Sequence, residues 1–413
     1  MTRARRGAWL ALGVLAVVNL LNYAHRNVLQ PCYDDLRHQL GFSNGQLGFL
    51  GAAYMFTHAL ATVPMGWAGD RYDRRKLIAL GLGLASVSAG AAALAGGLAS
   101  LTVSRALTGL GTAAIVPTAN SILGEAFEGE GKALAMAVFN LGLFLGGVFG
   151  FGLGEAFGFP ASFLAFAAPG LLLVPVVARL RVPPRRADAG ARPTGGLGVF
   201  VRDARALLRG RTFRWLMGSA TAMAFAAGGY LAWLLDFLGQ ERHLGAAGAT
   251  RVLGVALFGG LAGVVTGGRL ADRLRRRWPA GRMIAIVLGM AATVPCALAC
   301  LYGPGGAFLY AGAVLMMFFV SWYHGPIAAS VDDLAPPERA ATAQSLVIFV
   351  MHAAGTAPAW WIVGAVSDAT SLTTAMLVPT AMVAVAALLM ARAAASYAGP
   401  THPPGGSVPP AAL

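Results

Sequence analysis

Gly66-Trp67-Ala68-Gly69-Asp70-Arg71-Tyr72-Asp73-Arg74-Arg75-Lys76 closes one long apolar run, and Gly268-Arg269-Leu270-Ala271-Asp272-Arg273 closes another about 200 residues further along the 413-residue chain. Both stretches read Gly-x-x-x-Asp-Arg, and more arginines follow each. A motif repeated at equivalent places points to two related halves. Its chemistry suits a joint that opens and closes: glycine admits a neighbouring helix, the carboxylate can sit at that helix's positive N-terminus, and the arginines hold the loop at the cytoplasmic face. Topogenic charge alone would account for the arginines but not for the repeated glycine and aspartate. Gly66, Asp70, Arg71 and Arg74 are therefore expected to gate in the first half, and Gly268, Asp272 and Arg273 in the second.

Outward from these motifs, the chain is 57% hydrophobic and 12% charged, a balance that places it in the membrane class. A helix needs ~20 mostly apolar residues to cross a bilayer. Such stretches recur near 8–30, 45–69, 77–98, 101–124, 133–154, 158–179, 213–237, 251–270, 283–302, 307–330, 342–366 and 371–392. The net charge of +14 raises the question of nucleic acid, but the arginines lie between spans rather than over a soluble surface. Threaded alternately, Arg3, Arg5 and Arg6, Arg71 to Lys76, Arg179 to Arg214 and Arg269 to Arg282 all fall on one side, which is then cytoplasmic, as are both termini. The expectation is a multi-pass inner-membrane protein, monomeric, with the lipid bilayer as partner and no nucleic acid. The first span has the basic start and apolar run of a signal peptide but lacks a small-residue cleavage site, so it reads as an uncleaved helix. Cys32, Cys296 and Cys300 give neither a disulfide framework nor a metal set.

The longest polar interruption divides the spans six and six. The expected organisation is a bundle over 1–180, a cytoplasmic linker over 181–212, a second bundle over 213–395 and a disordered tail over 396–413. Within the linker, Val199 to Leu208 reads as a short amphipathic piece on the membrane surface.

At the paired motifs the chain resembles the major facilitator superfamily, although Asp73 replaces the second glycine of that family's loop. Arg105-Ala-Leu-Thr-Gly109-Leu-Gly111 resembles the family's fourth-helix element. Over nearly its full length the chain is similar to the Spinster family of lysolipid and sphingolipid transporters. The carriers of that resemblance are Asn22-Tyr23-Ala24-His25-Arg26, Gly69-Asp70-Arg71-Tyr72-Asp73-Arg74, Pro169-Gly170, Trp233, Gly325-Pro326, Pro336-Pro337-Glu338-Arg339-Ala340 and Ser367-Asp368, in the family's order. The resemblance implies an all-α fold of twelve transmembrane helices in two six-helix bundles and alternating access to a central site. Two departures bear on coupling: His25 stands where the family has an acid in helix 1, and Thr112 where it has a glutamate in helix 4.

Ionisable side chains inside spans are costly and mark function. Here they are His25, Arg26, His58, Arg105, His324 and His352, with no carboxylate near the middle of any span. Arg26 and Arg105 are expected to hold a carboxylate or phosphate by paired hydrogen bonds. His25 is a candidate proton carrier. Tyr23 and Thr112 join them from the motifs, and Tyr230, Trp233, Trp322 and Tyr323 are expected to form an aromatic wall suited to an acyl chain. Gly142, Gly146, Gly150 and Gly154 share one face and read as a packing surface.

There is no phosphate-binding loop, no metal-spaced Cys/His cluster and no nucleophile with its base, so neither an enzyme nor a cofactor is expected. The sequence reads as a transporter of an amphipathic, anionic small molecule such as a lysophospholipid. An organic-anion or drug facilitator is the alternative within the superfamily, and a membrane receptor or lipid enzyme the alternative outside it.

Overall fold

A computed structural model describes residues 3–127, 130–182, 197–336 and 339–397. Most of the linker's polar run and the tail beyond Tyr397 lie outside the described residues, as do Pro337 and Glu338 of the Pro-Pro-Glu-Arg-Ala motif. Every regular element among the described residues is helical, and twelve helices are long and apolar enough to cross a membrane.

The first span is α1 (Arg3–Asn27), followed by a 3-10 turn (Gln30–Cys32) and a short α2 (Tyr33–Leu40). The stretch between the first two expected spans is thus helical rather than an open loop. Next come α3 (Asn44–Arg71), α4 (Arg74–Ala92), α5 (Leu98–Thr112) with α6 (Ile115–Ala126), α7 (Glu130–Phe157) and α8 (Ala161–Ala178). The amphipathic α9 (Leu197–Arg209) precedes α10 (Arg211–Gln240), α11 (Gly245–Arg275) and α12 (Gly281–Tyr302). The last three spans are α13 (Ala307–Val320) with α14 (His324–Leu334), α15 (Ala340–Val350) with α16 (Ala357–Ala369), and α17 (Leu372–Ala375) with α18 (Leu377–Ala395).

Three spans that read as continuous are broken inside the membrane. The α5/α6 break follows Gly111, whose missing Cβ lets α5 lie against the α4 backbone at Gly81 and Ala85. Ser321–Tyr323 form a 3-10 turn between α13 and α14, and Met351–Thr356 a π-helical turn between α15 and α16. Pro358 cannot donate to the carbonyl four residues back, and the wider turn lies just upstream of it.

The residues fall into two compact units. One holds Met1–Arg192, Phe225–Gly254 and His352–Pro379; the other holds Pro193–Ala224, Val255–Met351 and Thr380–Leu413. The first unit therefore contains the six spans of the first half together with parts of the seventh, eighth, eleventh and twelfth. Its core away from the acids gathers Leu12, Leu15, Ile78, Leu82, Ile115, Ile122, Phe139 and Val177. Large side chains such as Leu10, Leu80, Leu172 and Phe258 point outward, as lipid-facing residues must.

Lipid is as apolar as leucine, so helices in a membrane are held by close packing more than by hydrophobic burial. The glycine face of α7 shows this directly. A Cβ on Gly142 would stand 2.8 Å from the Leu20 nitrogen, one on Gly146 2.7 Å from the Tyr23 Cβ, and one on Gly150 3.0 Å from the Asn27 Cβ. These three glycines thus seat α7 on α1, while Gly154 meets Pro31 in the 3-10 turn beyond it.

The loop motif is only partly as expected. No described atom lies within 4 Å of where a Cβ on Gly66 or Gly268 would be, so close helix approach is not what glycine supplies there. The Asp70 side chain lies outside the described residues. Arg71 and Arg273 are exposed, and Asp272 is exposed with Arg282 at 3.8 Å. Asp73, the departure from the family pattern, caps α4 by accepting from the Arg75 amide at 3.0 Å. The Arg75 guanidinium holds its carboxyl at about 2. Arg74 donates to Glu125 at 2.7 Å, and in the second unit Arg282 donates to Asp333 at 2.7 Å. The two ion pairs have the same sequence separation, 51 residues, and each ties the start of one helix to the end of another.

Gly146→Leu should cost about 1–3 kcal/mol by overpacking against α1. The melting temperature in detergent should fall accordingly, whereas Gly152→Leu, on the same helix with nothing within 4 Å, should leave it unchanged.

Candidate functional site

The last carbonyls of a helix have no partner of their own, and α1 ends at Asn27 in the apolar interior of the first unit. Arg105 of α5 meets that need. Its Nη1 donates to the His25 carbonyl at 2.9 Å and its Nη2 to the Arg26 carbonyl at 3.4 Å. The guanidinium lies 4.6 Å from the centre of the Tyr54 ring, so charge and aromatic face satisfy each other. Arg105 is 1% exposed, and its positive charge stands at the negative end of the α1 dipole.

Tyr54 passes the arrangement on. Its hydroxyl and the His58 Nδ1 each lie 3.1 Å from the Thr112 Oγ1, and the Tyr54 and His58 rings stack at 5.9 Å. Thr112 is the last residue of α5, just before the break, so the broken span positions this contact. Arg26 is half-buried; its Nε has no partner. His58 and His352 lie within electrostatic reach of Arg26 and of each other. His352 occupies the π-helical turn of the eleventh span, with Nδ1 3.4 Å from the Thr356 hydroxyl. The first unit thus brings Arg26, His58 and His352 together, supported by Arg105, Tyr54 and Thr112.

Other sequence candidates are placed differently. His25 is 1% exposed and both ring nitrogens lack partners; its ring faces Phe166 at 6.2 Å, edge on. Tyr23 is half-buried beside Gly146 of α7. Tyr230 is buried, and Trp233 is fully enclosed: its Nε1 donates to the Trp360 carbonyl at 3.0 Å and its ring packs on Tyr33 at 5.0 Å. Trp233 therefore offers no open wall, because its faces are taken up by helix packing. Trp322, Tyr323 and His324 belong to the second unit, at the 3-10 break of the tenth span. Trp322 sits against Gly267, Gly289, Phe318 and Phe319, while the His324 Nδ1 lies 3.2 Å from the Ser321 carbonyl.

Sequence reading missed a second polar cluster in the same unit, at the end of the spans opposite the Arg74–Glu125 pair. Asp368, ending α16, accepts from the backbone amides of Asn44 and Gly45 at 2.8 and 2.6 Å, which seats it on the N-terminus of α3. Arg37 of α2 grips Asp236 of α10, and donates to Asp34 at 2.7 Å and to Asn44 Oδ1 at 2.7 and 2.9 Å. Gln240 joins Asp34 and Asp236. Gly48 and Gly51 of α3 let Trp360 lie flat against the helix, where any Cβ would collide with it. Asp236 and Asp368 stand near helix ends, where an acid in the sequence carries no special signal. The legible signal was Ser43-Asn44-Gly45-Gln46, a capping box opening α3, which Asp368 completes.

The family model for the Major Facilitator Superfamily matches residues 15–359. The chain belongs to the Major Facilitator Superfamily. Its relatives in the superfamily include Protein spinster of Drosophila melanogaster, 25% identical over 88% of this chain and 62% of that protein, so the chain spans less than two thirds of that relative's length. Protein spinster homolog 3 of Danio rerio is 27% identical over 89% of this chain and 78% of its own. The sphingosine-1-phosphate transporter SPNS2 of Mus musculus is 24% identical over 86% and 69%. Among solved structures, a bacterial homolog to the human lysosomal transporter Spinster superposes with a TM-score of 0.81 at 20% identity, covering 96% of this chain and 98% of that one. The Spinster resemblance seen in the motifs thus has counterparts over 86–89% of this chain, and the mouse relative and the bacterial structure are named as transporters.

If the acidic cluster clamps α3 and α10 together, loosening it should expose the 7%-exposed Ser367. With Ser367→Cys as reporter, Asp236→Asn should speed labelling by a membrane-impermeant maleimide about tenfold, the equivalent of ~1.4 kcal/mol.

Proposed function

We propose that this multi-pass membrane protein is a Spinster-like transporter. It moves an amphipathic anionic molecule of lysophospholipid type by alternating access between two six-span halves. The observation that carries the reading is Arg26: a half-buried guanidinium in the membrane interior, with its Nε unpartnered, in reach of His58 and His352, and with no carboxylate beside it among the described residues. A buried cation without a counter-ion is costly, and an anionic head group arriving from solution supplies one. Arginine binds phosphate or carboxylate oxygens through a planar fork, and imidazoles within reach of it add donors.

In this reading Arg105 positions and Arg26 binds. Arg105 fixes the carbonyl end of α1 and thereby aims the side chain next to it. Support from the relatives is chemical: sphingosine-1-phosphate, named for the mouse protein, is an anionic head group on one acyl-like chain. The acidic cluster acts as one of the two gates, closed by Arg37–Asp236 and by Asp368 on the α3 N-terminus. The arginine-rich loops at the other ends of the spans face the cytoplasm. Substrate drives the cycle only through its different affinity for the two gate states.

The decisive measurement is flux into liposomes reconstituted with the purified protein. Arg26→Gln should weaken transport of an anionic lysophospholipid such as lysophosphatidate by about 10- to 100-fold, the value of a charge-assisted hydrogen bond of ~1.5–3 kcal/mol. A neutral monoacylglycerol should be unaffected. Equal loss for both ligands would end the anion reading, and conversion of the lipid without flux would favour an enzyme.

A further inference from the structure

Two helices of the first unit meet at Gly109, where any Cβ on α5 would collide with the Tyr54 carbonyl of α3. That close approach sets Tyr54 and His58, one turn apart on α3, around the Thr112 hydroxyl at the end of α5. Three polar contacts converge on this one oxygen. The Thr112 Oγ1 lies 3.0 Å from the Gly109 carbonyl, 3.1 Å from the Tyr54 hydroxyl and 3.1 Å from the His58 Nδ1.

A hydroxyl has one hydrogen to give and two lone pairs with which to accept. The Gly109 carbonyl can only accept, so it takes the Thr112 hydrogen, and for all three contacts to be hydrogen bonds the other two partners must donate. Tyr54 gives its O–H, and the His58 hydrogen therefore sits on Nδ1. The neutral ring then carries a bare lone pair on Nε2, at its far side. Arg26 already places one positive charge within electrostatic reach of this ring, and a second beside it would be repelled. His58 is half-buried, and its Nε2 is not enclosed as the ring nitrogens of His25 are. Where a charged imidazole would donate to an anion, this neutral one is built to accept.

We propose that His58 reads a hydrogen-bond donor on the head group: with Arg26 holding the anion, the His58 Nε2 accepts from a hydroxyl or ammonium carried beside the phosphate or carboxylate. This names the substrate class more narrowly and rests on the reading of Arg26 given above. A lipid whose head group pairs an anion with a donor fits; a plain alkyl phosphate leaves the Nε2 lone pair unused. Thr112 is the positioning residue, since its oxygen fixes the hydrogen on the other side of the ring.

Nitrogen NMR of the purified full chain with isotope-labelled histidine, assigned by comparison with His58→Gln, reports which ring nitrogen carries the hydrogen. Hydrogen on Nδ1 and a bare Nε2 are expected; the reverse would overturn the proposal. The second measurement is the half-saturating concentration for flux into liposomes at about pH 8, where a phosphate monoester has lost its second proton and cannot itself donate. Three probes are compared: 1-acyl lysophosphatidate with its free hydroxyl, the analogue with an ammonium in that place, and the deoxy analogue with neither. The deoxy lipid should need about three- to tenfold more, the worth of one hydrogen bond, and whichever of the other two saturates first identifies the donor. His58→Phe should erase this difference, Thr112→Ala should shrink it and Thr112→Ser should keep it. No difference in the unaltered protein, or one that persists in full in His58→Phe or Thr112→Ala, would overturn the acceptor role. Arg26→Gln should raise all three concentrations together and leave their ratios unchanged. A protein indifferent to charge but selective for the donor would end the Arg26 reading alone, and one that needs the charge but ignores the donor would end this proposal alone.

Discussion

A guanidinium enclosed in an apolar bundle must be satisfied by something, and for Arg105 no carboxylate among the described residues is at hand. What satisfies it is the open carbonyl end of α1 and the face of Tyr54. That choice has wide consequences. It lets α1 end inside the membrane, where free carbonyls would otherwise be prohibitively costly. It fixes where the last turn of α1 stands, and hence where Arg26 emerges. Through Tyr54 it reaches Thr112 and His58. The glycine face of α7 holds α1 from the other side, so the helix that carries the candidate binding arginine is pinned along its length by backbone contact and at its end by charge.

Acids at helix ends do two different jobs among the described residues. Glu125 and Asp333 pair with Arg74 and Arg282, each within its own half and at the same sequence separation, and so fix helix ends within a half. Asp236 and Asp368 join residues distant in sequence, Arg37 and the α3 N-terminus. Arg74–Glu125 and Arg37–Asp236 are mostly enclosed, so removing one partner would leave the other charge without its counter-ion. The contacts of Asp236 and Asp368, together with the Trp360 packing, hold their end of the first unit together.

Much of the site was legible because charge inside a span is rare. Arg26, His58 and His352 stood out on that ground alone, and the structure brings them into one unit. Arg105 stood out equally, yet its role differs from the expected second arm of a clamp, because spacing along a chain does not say whether an arginine faces solvent or a helix end. Trp233 misled for a similar reason: an aromatic in a span can line a cavity or fill a joint, and here Tyr33 and Trp360 enclose it. The pairing of Arg37 with Asp236 was not legible, since charged groups at helix ends are commonplace and their partners lie far along the chain.

By itself the sequence determined the solvent, the number of spans, the duplication and the family resemblance, because each depends on runs, periods and motifs that are local in the chain. Tertiary structure alone decided that three spans are broken, that Arg105 caps α1, that Asp368 caps α3, and that Tyr54 and His58 meet at the Thr112 hydroxyl. Those facts depend on which backbone ends are left unsatisfied once helices meet, and that is settled by packing between residues far apart in the chain.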